Sequence, residues 1–309
     1  MAGEVEEMLL EARAIAAAGD LKAALAAAGE AVRRDTERPE GYVVLGDLNL
    51  EFGDLLEADR CYAAGAEKCK PLGRDAAEIA TAAAIGKARV RRIEGDFSAA
   101  NAAYRAVLAA DPADGAGVGA EAAEAAIASG DAVFAAGLIA PLDAAAPDEH
   151  FIAQVALRRT DREAEAVVRG RLALFGNLYL LAALIEDEPP ELGLVHGFEE
   201  ATPEYAADAA ERLRSWLEDD SDAADGLAVL ASTPTVAAEV GRFVEIARSL
   251  QSEADPSRRQ VLLTELASLR DEGRLIATTG QVLAEIAADL APDDRPSCGE
   301  DDPDAAFPV

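Results

Sequence analysis

Apolar residues along this chain recur at helical spacing. In EFGDLLEADRCYAAGAEK, residues 51–68, Gly53-Asp54 is followed by Ala58 four residues after the Asp and by Tyr62 four after that. Nearly the same arrangement returns in EGDFSAANAAYRAVLAADP, residues 94–112. Such spacing puts residues on one face of a helix, so the pattern predicts amphipathic helices joined at Gly-Asp turns. Further on, Tyr205, Ala209, Leu213 and Trp216 share one face, Leu262, Leu266 and Leu269 another, and Leu283, Ile286 and Leu290 a third. No alternating run between them predicts a strand.

Four Gly-Asp pairs, at 19–20, 53–54, 95–96 and 130–131, are spaced 34, 42 and 35 apart. A 34-residue frame with each Gly at position 15 brings like residues into register. Position 20 is Ala24, Ala58, Ala100 and Ala135; position 24 is Ala28, Tyr62, Tyr104 and Ile139; position 27 is Ala31, Gly65, Val107 and Leu142. Position 32 is Thr36, Lys70, Pro112 and Pro147, with Pro71 just after the second. The second unit adds Tyr42, Leu45 and Gly46 at positions 4, 7 and 8. This pattern resembles the tetratricopeptide repeat, a helix–turn–helix unit of that length with small residues at 8, 20 and 27 and an aromatic at 24. Gly suits a left-handed helix end, and Asp can cap the helix that follows.

The resemblance implies an all-α fold, with residues 1–147 forming a right-handed α-solenoid of four helical hairpins. The first and fourth units fit less well, as end units do. The eight extra residues between the second and third units are expected to lengthen a helix, with PLGRD at 71–75 as a turn. Residues 148–290 lose the frame but keep the helical period, with about six helices expected. Thr160 is a candidate cap for TDREAEAVVRG, and LALFGNLYLLAALI at 172–185 reads as a buried helix. This half is either a degenerate continuation or capping array, or a separate bundle docked on the first. The tail at 291–309 holds four prolines and many acids without a period, and is expected to be disordered.

Composition narrows the function. Fifty per cent of the 309 residues are hydrophobic and 5% aromatic, which fits closely packed Ala-rich helices. Fifty-nine acids against 28 bases give a net charge of -31, which would repel nucleic-acid phosphates. Only four of the bases are Lys: Lys22, Lys68, Lys70 and Lys87. Excess acid with scarce Lys resembles proteins of salt-loving archaea, although a high-GC genome would also favour Arg. The start of the chain has no basic, apolar leader, and no apolar run is long enough to span a bilayer, so a cytoplasmic location is expected. Cys61 and Cys69 lie eight apart on one predicted helix, about 12 Å along its axis, beyond disulfide reach. With Cys298 they make a scatter that predicts neither disulfides nor a zinc site.

Catalytic signatures are missing. His150 and His196 have no carboxylate or Cys at metal-ligand spacing, and no phosphate-binding or nucleophile motif occurs. The chain therefore reads as a non-catalytic interaction scaffold without cofactor or metal. The alternative is an enzyme or ligand-sensing regulator whose active part lies in 148–290.

In proteins of the resembled kind, frame positions 2, 5, 9 and 12 line a concave groove that holds a peptide or partner helix. Here that groove would include Arg13, Val43, Asp47, Leu50, Ile85, Arg89 and Arg92. KARVRR at 87–92 is a basic spot in an acidic chain. It would either dock a partner's carboxylates or be neutralised from within, with Glu40, Asp47 and Glu124 as the candidate acids.

Overall fold

The computed structural model describes residues 2–139, 145–194, 199–217 and 221–289. The tail at 291–309, Leu142, His196, Leu290 and Cys298 lie outside them. The described residues form a packed all-helical array without strands.

Four antiparallel hairpins lead the chain: α1 (Ala2–Ala17) with α2 (Leu21–Arg34), α3 (Pro39–Phe52) with α4 (Leu55–Cys69), α5 (Ala77–Ile93) with α6 (Phe97–Ala110), and α7 (Gly119–Ala128) with α8 (Ala132–Ile139). Each turn is made by the same two residues. Gly19, Gly53, Gly95 and Gly130 all have φ between 77° and 90°, a left-handed conformation that glycine adopts without strain. The Asp after each then accepts from a backbone N–H in the next helix's first turn. Asp20 receives Ala23, Asp54 receives Glu57, Asp96 receives Ala99 and Asp131 receives Phe134.

The frame residues are the packing contacts. Ala24, Ala58, Ala100 and Ala135 are completely buried, as are Ala28, Tyr62, Tyr104 and Ile139. A side chain added to Gly46 would come within 2.7 Å of the Tyr62 ring, and one on Gly86 of α5 would overlap it. The ring thus spans from its own hairpin into the next. The extra residues before α5 form a 3-10 segment, Lys70–Ala76, broken at Gly73 by a positive φ, and α5 itself runs to 17 residues against 14 for α3.

Among the described residues the second half holds eight α-helices where about six were expected: α9 (Pro147–Arg158), α10 (Glu163–Gly176), α11 (Leu180–Leu184), α12 (Pro203–Leu217), α13 (Ser221–Ser232), α14 (Pro234–Ser252), α15 (Pro256–Leu269) and α16 (Glu272–Asp289). The sequence reading singled out neither α9 nor α13. Thr160 does not cap α10. Its hydroxyl donates back to Ala156 and Leu157 carbonyls of α9, and Arg162 stands at the cap instead. The apolar run 172–185 is two helices, because Asn177 ends α10 and binds the Glu200 and Thr202 carbonyls through its side chain. Thr202 does cap α12, receiving Tyr205 N–H, and Asp255 caps α15 ahead of Pro256.

Among the described residues one core runs across position 147. Ala123, Ile127, Ala135 and Ile139 of the fourth hairpin belong to one core with Phe151, Leu213, Trp216 and Leu227. The opposite face of α7, through Ala122 and Ala125, packs with Ile85 and Tyr104. In the second half α10 is central. Its Arg171, fully buried, donates to Glu239 of α14 at 2.6 Å and to Leu275 O and Thr278 of α16. Among the described residues no single helix is long and apolar enough to cross a bilayer.

Candidate functional site

The first helices of the four hairpins carry the residues that the frame assigns to a groove, and the structure separates these into two rows. The position-5 row is core. Leu9, Val43 and Ile85 are buried at 6%, 5% and 7% exposure. Val43 packs with Tyr62 and Val90, and Ile85 with Tyr104 and Val107. As groove-lining side chains Val43 and Ile85 are therefore corrected: an apolar residue at this register is drawn between the helices. Leu50 is half-buried against the Val43 cluster.

The position-9 row is different. It reads Arg13, Asp47, Arg89, Glu124, with the sign of charge alternating from hairpin to hairpin. Arg13 is exposed and makes no ion pair among the described residues. Asp47 is exposed as a residue, yet its carboxylate is desolvated enough to raise its pKa, against the pull of the Tyr62 hydroxyl, Arg13 and Arg89. Tyr62 donates to it at 2.8 Å.

Arg89 and Arg92 share one face of α5 and both reach to α7. Arg89 grips Glu121 with two nitrogens, the shortest contact being 2.7 Å, and Tyr104 donates to the same carboxylate at 2.7 Å. Burial alone would raise the Glu121 pKa; the bonds from Arg89 and Tyr104 bring it below its usual value. Arg92 donates to Glu124 at 2.8 Å, and both are largely enclosed. Burial raises the Glu124 pKa even so. Each half of this pair keeps one buried polar atom without a partner among the described residues, Arg92 Nε and Glu124 Oε1. Internal neutralisation of the basic spot is thus real. Among the described residues Glu124 is the one of the three candidate acids that forms an ion pair with this spot, and Glu121, one residue past frame position 5, accepts from Arg89. Glu40 instead lies 3.5 Å from Arg38.

Among the described residues the two cysteines and His150 are enclosed. Burial pushes the Cys61 thiol up to about 11, away from reactivity. His150 stands in the first turn of α9, but it is buried rather than at the surface. Burial, then Arg169 and Arg270, push it down to about 4, and Arg169 donates to its Nδ1 at 3.5 Å.

Among the described residues several cavities open in the second half. One, of about 620 Å³, lies between the start of α9, the end of α10 and α14, beside His150, Phe175, Tyr179 and Arg270. Another, of about 460 Å³, lies between α9, α10, α13 and α16. Among the described residues no three His, Cys, Asp or Glu side chains converge as a metal ion would require. No known family profile matches the chain, and no curated protein matches it.

Proposed function

We propose that this protein is a non-catalytic interaction scaffold whose hairpins form a right-handed, tetratricopeptide-like array. A peptide or partner helix docks along the face shared by α1, α3, α5 and α7. The observation that carries this reading is the exposed pair Arg13 and Asp47, opposite in sign and held at one register in the first two hairpins, whereas at that register Arg89 is paired with Glu121 and Glu124 is buried against Arg92. Opposite signs in order favour a partner whose charges match, and they reject one out of register by like-charge contact. Arg13, exposed and without an ion pair among the described residues, is the first point at which an acidic group of the partner would engage.

Affinity capture at high salt followed by mass spectrometry tests this, comparing the natural chain with Arg13→Glu. The reversal should remove the captured partner and leave the melting temperature unchanged. The same partners on both chains would refute the docking face.

A second reading has its own support. The cavities of about 620 and 460 Å³ are of ligand size and lie where a ligand-sensing regulator would hold its effector. In that reading the array transmits occupancy of the second half to the docking face through the core shared by α7 and α9.

A further inference from the structure

Arg270, just past α15, lines the cavity beside His150 and makes no ion pair among the described residues. It is exposed as a residue, yet its guanidinium lies over the Phe243 ring, 5.4 Å from the centroid, and donates to the Phe175 carbonyl. Both of those residues line the cavity, so the guanidinium is part of its wall. Its remaining N–H groups have no acceptor among the described residues. In a chain with 59 acids to 28 bases, a partly desolvated arginine without a carboxylate is a charge left open.

The surroundings do not close it. Glu149 and Glu200 line the same cavity, but neither pairs with Arg270; Glu149 accepts the Ala146 N–H at 2.9 Å, and Glu200 is exposed. Burial lowers the Arg270 pKa, and no carboxylate raises it again. His150, on the cavity wall, is held neutral in part by the charge of Arg270. Arg169 donates to its Nδ1, which leaves the ring proton on Nε2, without a partner among the described residues. Arg270 and His150 therefore offer donors and no acceptor. The walls between them are apolar: Leu172 of α10, Leu266 of α15, and the stacked rings of Phe175 and Phe243, 5.7 Å apart.

We propose that this cavity binds a hydrophobic aromatic carboxylate, its ring against Phe175 and Phe243 and its carboxylate on the Arg270 guanidinium. A planar guanidinium matches a carboxylate in shape as well as charge, and the apolar walls disfavour a small hydrated anion. An amine would meet a like charge there. The proposal names the effector class for the ligand-sensing reading, and direct binding tests it whether or not the α1–α7 face captures a partner.

Calorimetric titration of the full chain with 4-phenylbutyrate, 4-phenylbutylamine and 4-phenylbutanol is the test. At about 1 M KCl the screening length falls to about 3 Å, which suppresses the diffuse pull of the acidic surface on any amine and its push on any acid. Phenylbutyrate should saturate a single site, and the amine and the alcohol should bind far more weakly. Arg270→Gln should weaken phenylbutyrate by about tenfold or more, the scale of one charge-assisted hydrogen bond. If that variant does not fold, the natural chain still decides: the imidazole NMR signals of His150, identified with His150→Gln, should shift as the site fills. Phenylbutylamine binding as tightly as phenylbutyrate would overturn the proposal. So would unchanged affinity in folded Arg270→Gln, saturation that leaves the His150 signals unmoved, or no saturable binding of phenylbutyrate.

Discussion

The Tyr62 ring fills the space that a side chain on Gly86 would need, so one aromatic and one absent side chain define the join between the second and third hairpins. The hydroxyl at the far end of the ring is anchored on Asp47. Gly86→Ala should therefore force the ring aside and destabilise the chain by about 1–3 kcal/mol, the usual range for overpacking. Tyr62→Ala should cost about 3–5 kcal/mol through the cavity it leaves. Urea titration of both variants checks the pair; a neutral Gly86→Ala would mean the join is looser than described.

Arg89 and Arg92 should behave differently when removed. Glu124 is buried at 6% exposure, so Arg92→Ala strands its carboxylate and should destabilise by about 3 kcal/mol. Arg89 is half-exposed, and its pair with Glu121 is also supported by Tyr104. Arg89→Ala should cost no more than about 1 kcal/mol. Chemical denaturation of the two single variants gives the order, and a larger loss for Arg89 would reverse this assignment.

His150 should make stability fall in mild acid. Its pKa is 6.5 when unperturbed and about 4 in the fold, so the unfolded chain takes up the proton first. The neutral ring's contribution is complete above about pH 6.5 and is lost as pH falls toward about 4, a difference of about 3 kcal/mol. Glu124, with its pKa raised, acts with the opposite sign. The comparison is therefore between the natural chain and His150→Gln, in which the Glu124 contribution cancels. The stability gap between them should narrow from pH 7 to pH 4, and a constant gap would exclude His150 as the cause.

Salt should stabilise the fold. At a net charge of -31 the surface carboxylates repel one another at low ionic strength, and molar salt screens that repulsion. The melting temperature should be higher in about 3 M than in about 0.1 M KCl. An equal or lower value would remove the salt-adapted reading of the composition.

Local geometry was the legible part of this chain. Gly53-Asp54 encodes its own turn, because glycine alone takes the positive φ cheaply and the next aspartate is within reach of the following helix. Tyr62 and Tyr104 marked the joins because a large side chain among alanines has few places to go. The partners were not legible. Glu121 lies 32 residues from Arg89, and nothing local distinguishes it from the other acids of so acidic a chain. Val43 and Ile85 were placed on the groove by their register, whereas helix approach distances, which only packing sets, put them in the core. In the second half α9 was missed because PDEHFIAQVALR is buried on nearly every side, so it lacks the polar face that makes a helix visible in sequence.

The core that joins α7 and α8 to α9, α12 and α13 bears on how this chain could be recombined. Hairpin repeats are often treated as interchangeable cassettes, but the last hairpin here is fitted on both faces to different neighbours. Cutting at Pro147 would leave Ile127 and Ile139 with no covering helices, and the fragment would be sticky rather than soluble. The third hairpin meets the fourth through Ile85 and Tyr104, and the second half meets it through Phe151 and Trp216, so the fourth hairpin is the coupling between the two.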